Sequence, residues 1–136
     1  MEIYKKEEVK GFLNDVKSII LSGANTQINN KPWKGNKVNK TLDYMAKTGL
    51  TQKDIEQVIC KLQVSNYSYT DDDVNTRFEG EQVWLFGINE TIIDQDEDLY
   101  IKLKIRTING KHLLIMSFHP ETITEKNKKL EFPYRE

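Results

Sequence analysis

Tyr100, Lys102, Lys104 and Arg106 recur at every second position of the run L-Y-I-K-L-K-I-R. Residues two apart in an extended strand leave from the same face. A phenol and three cations on one face suit a phosphate-bearing ligand, with the cations on the phosphates and the ring on a base. Close like charges repel, so a purely structural face more often mixes its signs. The competing reading is a solvated polar face that keeps the strand soluble. His119 closes the apolar run H-L-L-I-M-S-F-H just before Pro120. An imidazole at a strand end can be presented into a cleft and exchange a proton near neutral pH. If His119 converges with Tyr100 and Lys102, the three can support metal-free RNA cleavage. The 2′-hydroxyl attacks the adjacent phosphate, a base takes its proton, cations steady the phosphoryl oxygens and an acid protonates the leaving 5′-oxygen. His112, beside a turn, reads as surface decoration.

Two tryptophans need separate treatment. Trp84 shares a strand face with Phe86 and reads as core or core edge, with base stacking as the alternative. Trp33 lies among Lys31, Lys34 and Lys37, where a ring among cations serves either as a nucleic-acid or partner contact or as a cap on the core. Other chemistry finds little footing. Neither a P-loop nor a dinucleotide-binding glycine motif occurs. One cysteine and two histidines are too few for a structural zinc site. Asp71-x-Asp73-x-Asn75 begins like a calcium loop, but Thr76 and Gln82 stand at its sixth and twelfth positions, and Asp94-x-Asp96-x-Asp98 fails in the same way at Leu99. The acidic runs read as solvated connections, or as electrostatic fencing of a basic site. No metal and no cofactor are expected.

The elements that must position these residues are legible from periodicity. Val9, Phe12, Leu13, Val16, Ile19 and Ile20 make one helical stripe that stops at Ser22-Gly23. Residues 24–36 are loop chemistry with a short edge strand near 27–29. Val38, Leu42, Met45 and Ala46 form a second short stripe, closed by Gly49. Thr51, with Asp54 three residues on, caps a third helix whose stripe is Ile55, Val58, Ile59 and Leu62. Residues 65–81 read as a polar connection, 82–86 as a strand and 89–98 as a second connection. The alternating strand spans 99–107, Asn109-Gly110 is a hairpin turn signal, and 112–119 return with apolar residues on both faces, as in a strand inside a sheet. The tail 121–136, with Lys126, Lys128, Lys129 and then Phe132-Pro133-Tyr134, reads as a short helix and an extended end. Helices first and a meander afterwards predict an α+β fold, with N-terminal helices on one face of a small antiparallel sheet.

The chain has 136 residues, 38% hydrophobic, 10% aromatic and 30% charged, which is the size of one domain. The aromatic content argues against disorder throughout. No apolar run approaches the roughly 20 residues that span a bilayer, and the N-terminus lacks the apolar stretch of a signal peptide. With Cys60 as the only cysteine, a disulfide framework is excluded and an inert, buried thiol is expected. These features predict a cytoplasmic protein without a membrane partner. The net charge of −1 conceals polarity: seven lysines face three acids over 31–70, one arginine faces ten acids over 71–98, and eight cations face four acids over 99–136. Such a chain can focus a local field without a basic pI.

The run Leu62…Tyr67, V-W-L-F-G at 83–87, L-Y-I-K-L-K-I at 99–105 and L-I-M-S-F-H at 114–119 resembles the MqsR family of bacterial toxins. The likeness covers roughly residues 6–120, and Y-I-K-L and S-F-H are its most specific parts. The resemblance implies a RelE-like fold, messenger-RNA interferase activity on single-stranded RNA, and an antitoxin partner of the zinc-binding or helix-turn-helix type. It implies Tyr100 as an active-site tyrosine with Lys102 beside it. His119 falls where the best-known branch has a functional lysine, Tyr69 where the family has a lysine after the third helix, and Leu85 where it has a glutamine. Tyr69 can stack on RNA or donate a proton, whereas Leu85 can neither hydrogen-bond nor transfer one. The predicted site is therefore Tyr100, Lys102 and His119 for catalysis, with Lys104, Arg106, Tyr69 and Trp84 on the RNA. The alternative is a non-catalytic RNA- or protein-binding module of the same fold.

Overall fold

Helix α1 (Lys6–Leu21) buries Val9, Phe12, Leu13, Val16 and Ile19, the stripe its spacing predicts, and the chain turns away through Gly23 at φ 75°. The computed structural model describes residues 1–29, 38–74, 80–124 and 128–135. Trp33, Lys31, Lys34 and Lys37 lie outside the described residues, as do Asn75 and Lys126. After α1 come strand β1 (Thr26–Ile28), helix α2 (Lys40–Thr48), helix α3 (Gln52–Ile59), a single 3₁₀ turn (Val64–Asn66), and strands β2 (Tyr67–Asp72), β3 (Gln82–Ile92), β4 (Gln95–Thr107) and β5 (Lys111–Pro120). Thr51 caps α3 through the Asp54 N–H, and Asp54 reaches back to the Thr51 N–H. Gly49 ends α2 in the left-handed region, at φ 76°. Val38 is not part of the α2 stripe; it precedes the helix and is 63% exposed.

The fold is α+β. The strands form one sheet in the order β1-β5-β4-β3-β2, antiparallel except where β1 runs parallel to β5, Thr26 to Ile28 against Leu113 to Ile115. The core face carries Tyr67, Phe86, Ile101 and Phe118 in one cross-strand row, and Trp84, Leu103 and Ile115 in another. Both rows belong to the cluster that α1 and α3 cover. Among the described residues no helix is long and apolar enough to cross a membrane.

Both segments expected to be acidic connections contain strand. Residues 67–72 are β2, an edge strand, and 89–98 are the outer half of the β3–β4 hairpin, with Glu90 opposite Glu97 and Asn89 opposite Asp98. Its turn, Ile93-Asp94, has φ 48° and 62°, the double left-handed geometry usually marked by Asn-Gly. Here neither residue signals it. Beyond the helices the ribbon is solvated on most of its surface, so acids are tolerated and the apolar alternation that marks a strand is lost.

Two bulges decide which side chains face away from the helices. In β2, Tyr67 opposes Phe86 while Tyr69 opposes Leu85. The extra residue at Ser68 turns Tyr69 to the outer face, although simple alternation puts it with Tyr67. In β5, Lys102 opposes Ser117 and Leu103 opposes Ile115, leaving Met116 as the inserted residue. Leu113, Ile115 and Phe118 thus all reach the core, which accounts for the two-faced apolar pattern of this strand.

Candidate active site

The outer face carries two cross-strand rows. One runs Tyr69, Leu85, Lys102, Ser117; the other runs Gly87, Tyr100, His119. Tyr100 and His119 are direct partners, with ring centroids 5.3 Å apart and planes inclined by 19°. Together with Lys102 and Tyr69 they line one hollow of about 830 Å³, within the range of ligand sites. The convergence expected of Tyr100, Lys102 and His119 is met, and Tyr69 joins them through the β2 bulge.

Helix α2 forms a second wall. Its N-cap, Asn39, accepts from the N–H groups of Thr41 and Leu42 at 3.0 and 3.2 Å and donates to the Asn29 carbonyl at 3.0 Å. The Phe118 N–H, on the edge of β5 beyond the reach of β1, donates to Thr41 Oγ1 at 3.0 Å. That bond satisfies a buried donor and fixes the first turn of α2, with Lys40, beside His119. Lys40, Thr41 and Ser117 line the hollow, and motif reasoning did not single them out. For Ser117 the signal was present, since it lies two residues before His119 on one strand face. The place of Lys40 depends on tertiary packing.

The imidazole is set up as a base. His119 Nδ1 lies 2.9 Å from the Pro120 carbonyl oxygen; a carbonyl only accepts, so in the neutral ring Nδ1 carries the hydrogen and Nε2 is left basic. Burial lowers the His119 pKa; the Pro120 hydrogen bond works against that shift, and the Lys40 and Lys102 charges add to it. The neutral ring therefore dominates at pH 7. Burial pushes the Tyr100 phenol up to about 12, with further contributions from Tyr69 and Glu121. Tyr69 is raised by burial and by Asp71. Both phenols stay protonated and can donate.

Three residues expected on the RNA are engaged elsewhere. Lys104 lies on the Tyr100 face, as alternation predicts, but it is 2% exposed and its ammonium is bound to Asp73 and, at 2.9 Å, to Glu81. Arg106 meets the same Glu81 through Nε at 2.6 Å and Nη2 at 2.9 Å. The acids that looked like solvated connection or fence neutralise these two cations directly. Trp84 sits at the core edge, partly buried: its ring stacks on Phe12 at 4.2 Å and 8° and meets the Tyr4 edge at 4.8 Å. Leu85 lies between Tyr69 and Lys102 and is 1% exposed, an apolar residue in the middle of the row. His112 bonds the Ile108 carbonyl at the β4–β5 turn, away from the hollow. Cys60 is partly buried rather than enclosed, and burial raises its thiol pKa. Among the described residues no three His, Cys, Asp or Glu side chains gather in a way that could hold a metal ion.

Compared with protein-family models, with curated proteins and with solved structures, the chain finds no match.

Proposed function

We propose that this protein is a toxin-like, metal-independent endoribonuclease that cuts single-stranded messenger RNA. The observation that carries the reading is the facing pair of Tyr100 and His119, with Lys102 in the next row of the same hollow. His119 Nε2 accepts the proton of the ribose 2′-hydroxyl as its oxygen attacks the adjacent phosphorus. Lys102 steadies the charge that gathers on the phosphoryl oxygens. The bond from phosphorus to the 5′-oxygen breaks, and the Tyr100 hydroxyl gives that oxygen its proton. The imidazolium then returns a proton to the tyrosine. The products are a 2′,3′-cyclic phosphate and a 5′-hydroxyl, and protein groups fill every role.

In this reading the chain is a divergent member of the MqsR family with a RelE-like fold. It works in the cytoplasm and is silenced by an antitoxin that covers the hollow. The test is incubation of the purified protein with a single-stranded RNA, followed by analysis of the new ends. A general acid or base contributes typically 10²–10⁴-fold, so His119→Ala and Tyr100→Phe should each slow cleavage by at least about 10²-fold while the fold survives. Intact RNA, cleavage by both variants at the parent rate, or 3′-hydroxyl ends would reject the proposal. Leu85 favours a second reading, a module that binds RNA without cutting it, because it leaves the middle of the row without a polar group. Tight, salt-sensitive binding with no new ends would decide for that reading.

A further inference from the structure

The C-terminal segment does not trail away from the molecule. Leu130, Glu131 and Phe132 lie against β2 and β3 on the outer face, beside the hollow, and Tyr134 reaches the core-face ring of Tyr67. The Leu130 N–H donates to Glu121 Oε1 at 2.6 Å, and Ser68 Oγ donates to the Glu131 carbonyl at 2.6 Å. The Tyr134 hydroxyl donates to the Tyr4 carbonyl, and its ring stacks on Tyr67 at 6.1 Å and 16°. Phe132 and Leu130 rest directly on the backbone of Gly87, where a Cβ would stand 2.6 Å from the Phe132 ring and 3.2 Å from Leu130 Cδ1. Gly87 is the strand partner of Tyr100. Only a residue without a side chain lets the segment come this close to the reactive row.

This docking brings Lys128 and Lys129 to the hollow. Its described lining includes four lysines, Lys40, Lys102, Lys128 and Lys129, against two carboxylates, Glu121 and Glu131. The Glu121 carboxylate already holds a tail N–H. Among the described residues none of the four lysines has an ion-pair partner, whereas Lys47, Lys61 and Lys111 each have one and Lys104 has two. The four come from α2, β4 and the tail, so the excess cations stand on separate walls.

We propose that segment 128–135 is a built wall of the substrate site, and that Lys128 and Lys129 hold phosphates of a single-stranded RNA next to the one that reacts. The proposal rests on the nucleolytic reading for the identity of the polyanion. It is tested with the full chain and a fluorescent single-stranded oligoribonucleotide whose 2′-O-methyl riboses cannot cyclise, by anisotropy at several salt concentrations. Each phosphate contact on a single strand contributes a salt slope of about 0.7. The double variant Lys128→Ala/Lys129→Ala should therefore lose a slope of about 1.4 and bind roughly 25-fold more weakly near 0.1 M salt. Phe132→Ala, which loosens the segment without removing a charge, should weaken binding in the same direction. Lys47→Ala, which removes a lysine paired with Asp43, should leave it unchanged. A double variant with the parent affinity and slope would overturn the proposal, and so would tighter binding, which would make the segment a cover instead of a wall. If the parent protein shows no salt-dependent binding, the nucleolytic reading itself falls, and the wall loses its ligand with it.

Discussion

His119 illustrates how little a side chain's type says before its surroundings are known. Burial and two nearby lysines disfavour its charged form, so acid should act on stability as well as activity. The unfolded chain takes up this proton near the ordinary histidine value of about 6.5, and the folded chain only at lower pH. Above the unfolded value neither state holds the proton and the stability is complete. As pH falls, the unfolded state binds more protons, and stability is lost down through the folded pKa. Urea unfolding from about pH 7.5 to pH 5 should show this loss, and His119→Gln should remove its share. Cleavage should follow the same group, rising with pH along an acidic limb whose midpoint lies below about 6.5. A limb centred above that value would contradict the neutral-base assignment. The Tyr100 phenol, held up to about 12, should stay protonated through that range.

Among the elements, α2 and the two bulges aim the site. Asn39 is buried, caps α2 and ties it to Asn29. Asn39→Ala should cost about 1–2 kcal/mol by chemical denaturation, and cleavage should fall further than stability because Lys40 and Thr41 lose their anchor. Lys104 makes the opposite case. It joins β4 to acids at the end of β2 and the start of β3, and removing one member of a buried ion cluster strands the others. Lys104→Ala should destabilise the fold by about 3–5 kcal/mol. Lys102→Ala, two residues away and without an ion-pair partner among the described residues, should shift stability by no more than about 0.5 kcal/mol while impairing cleavage. If both variants were equally destabilised, the division between structural and functional cations on this strand would be wrong.

Over the whole molecule, the polarised charge of the sequence resolves into two separate arrangements. At one end of the outer face, Asp73 and Glu81 satisfy Lys104 and Arg106. At the other, lysines from three elements stand around the hollow with few acids among them. The net positive field at the hollow therefore comes from the second group. Arg106→Gln should leave the salt dependence of RNA binding unchanged, whereas Lys102→Ala should lower its slope by about 0.7. Equal effects would show that the first group also faces the polyanion.

The α+β order, the stripes of α1 and α3, the helix caps, the 99–107 alternation and the Asn109-Gly110 turn were legible in the sequence, because each is a local pattern with a local physical cause; the stripe expected of α2 was not met, since Val38 and Ala46 are exposed and Thr41 is the residue that helix buries. The sequence also marked Tyr100, Lys102 and His119 as candidates for one site. Their meeting depended on strand register: β4 and β5 must pair so that residue 100 faces 119. Tyr69 faces the hollow only because β2 carries one extra residue, which alternation cannot reveal. Lys104 and Arg106 kept the face the pattern assigned them, yet their acids come from a distant stretch of chain, so burial and pairing decided their role. The docking of the tail was not legible in the sequence, which suggested a short helix where 121–124 and 128–135 have none, because three of its anchors, Gly87, Ser68 and Tyr67, lie more than forty residues earlier. Such contacts exist only once the sheet has formed.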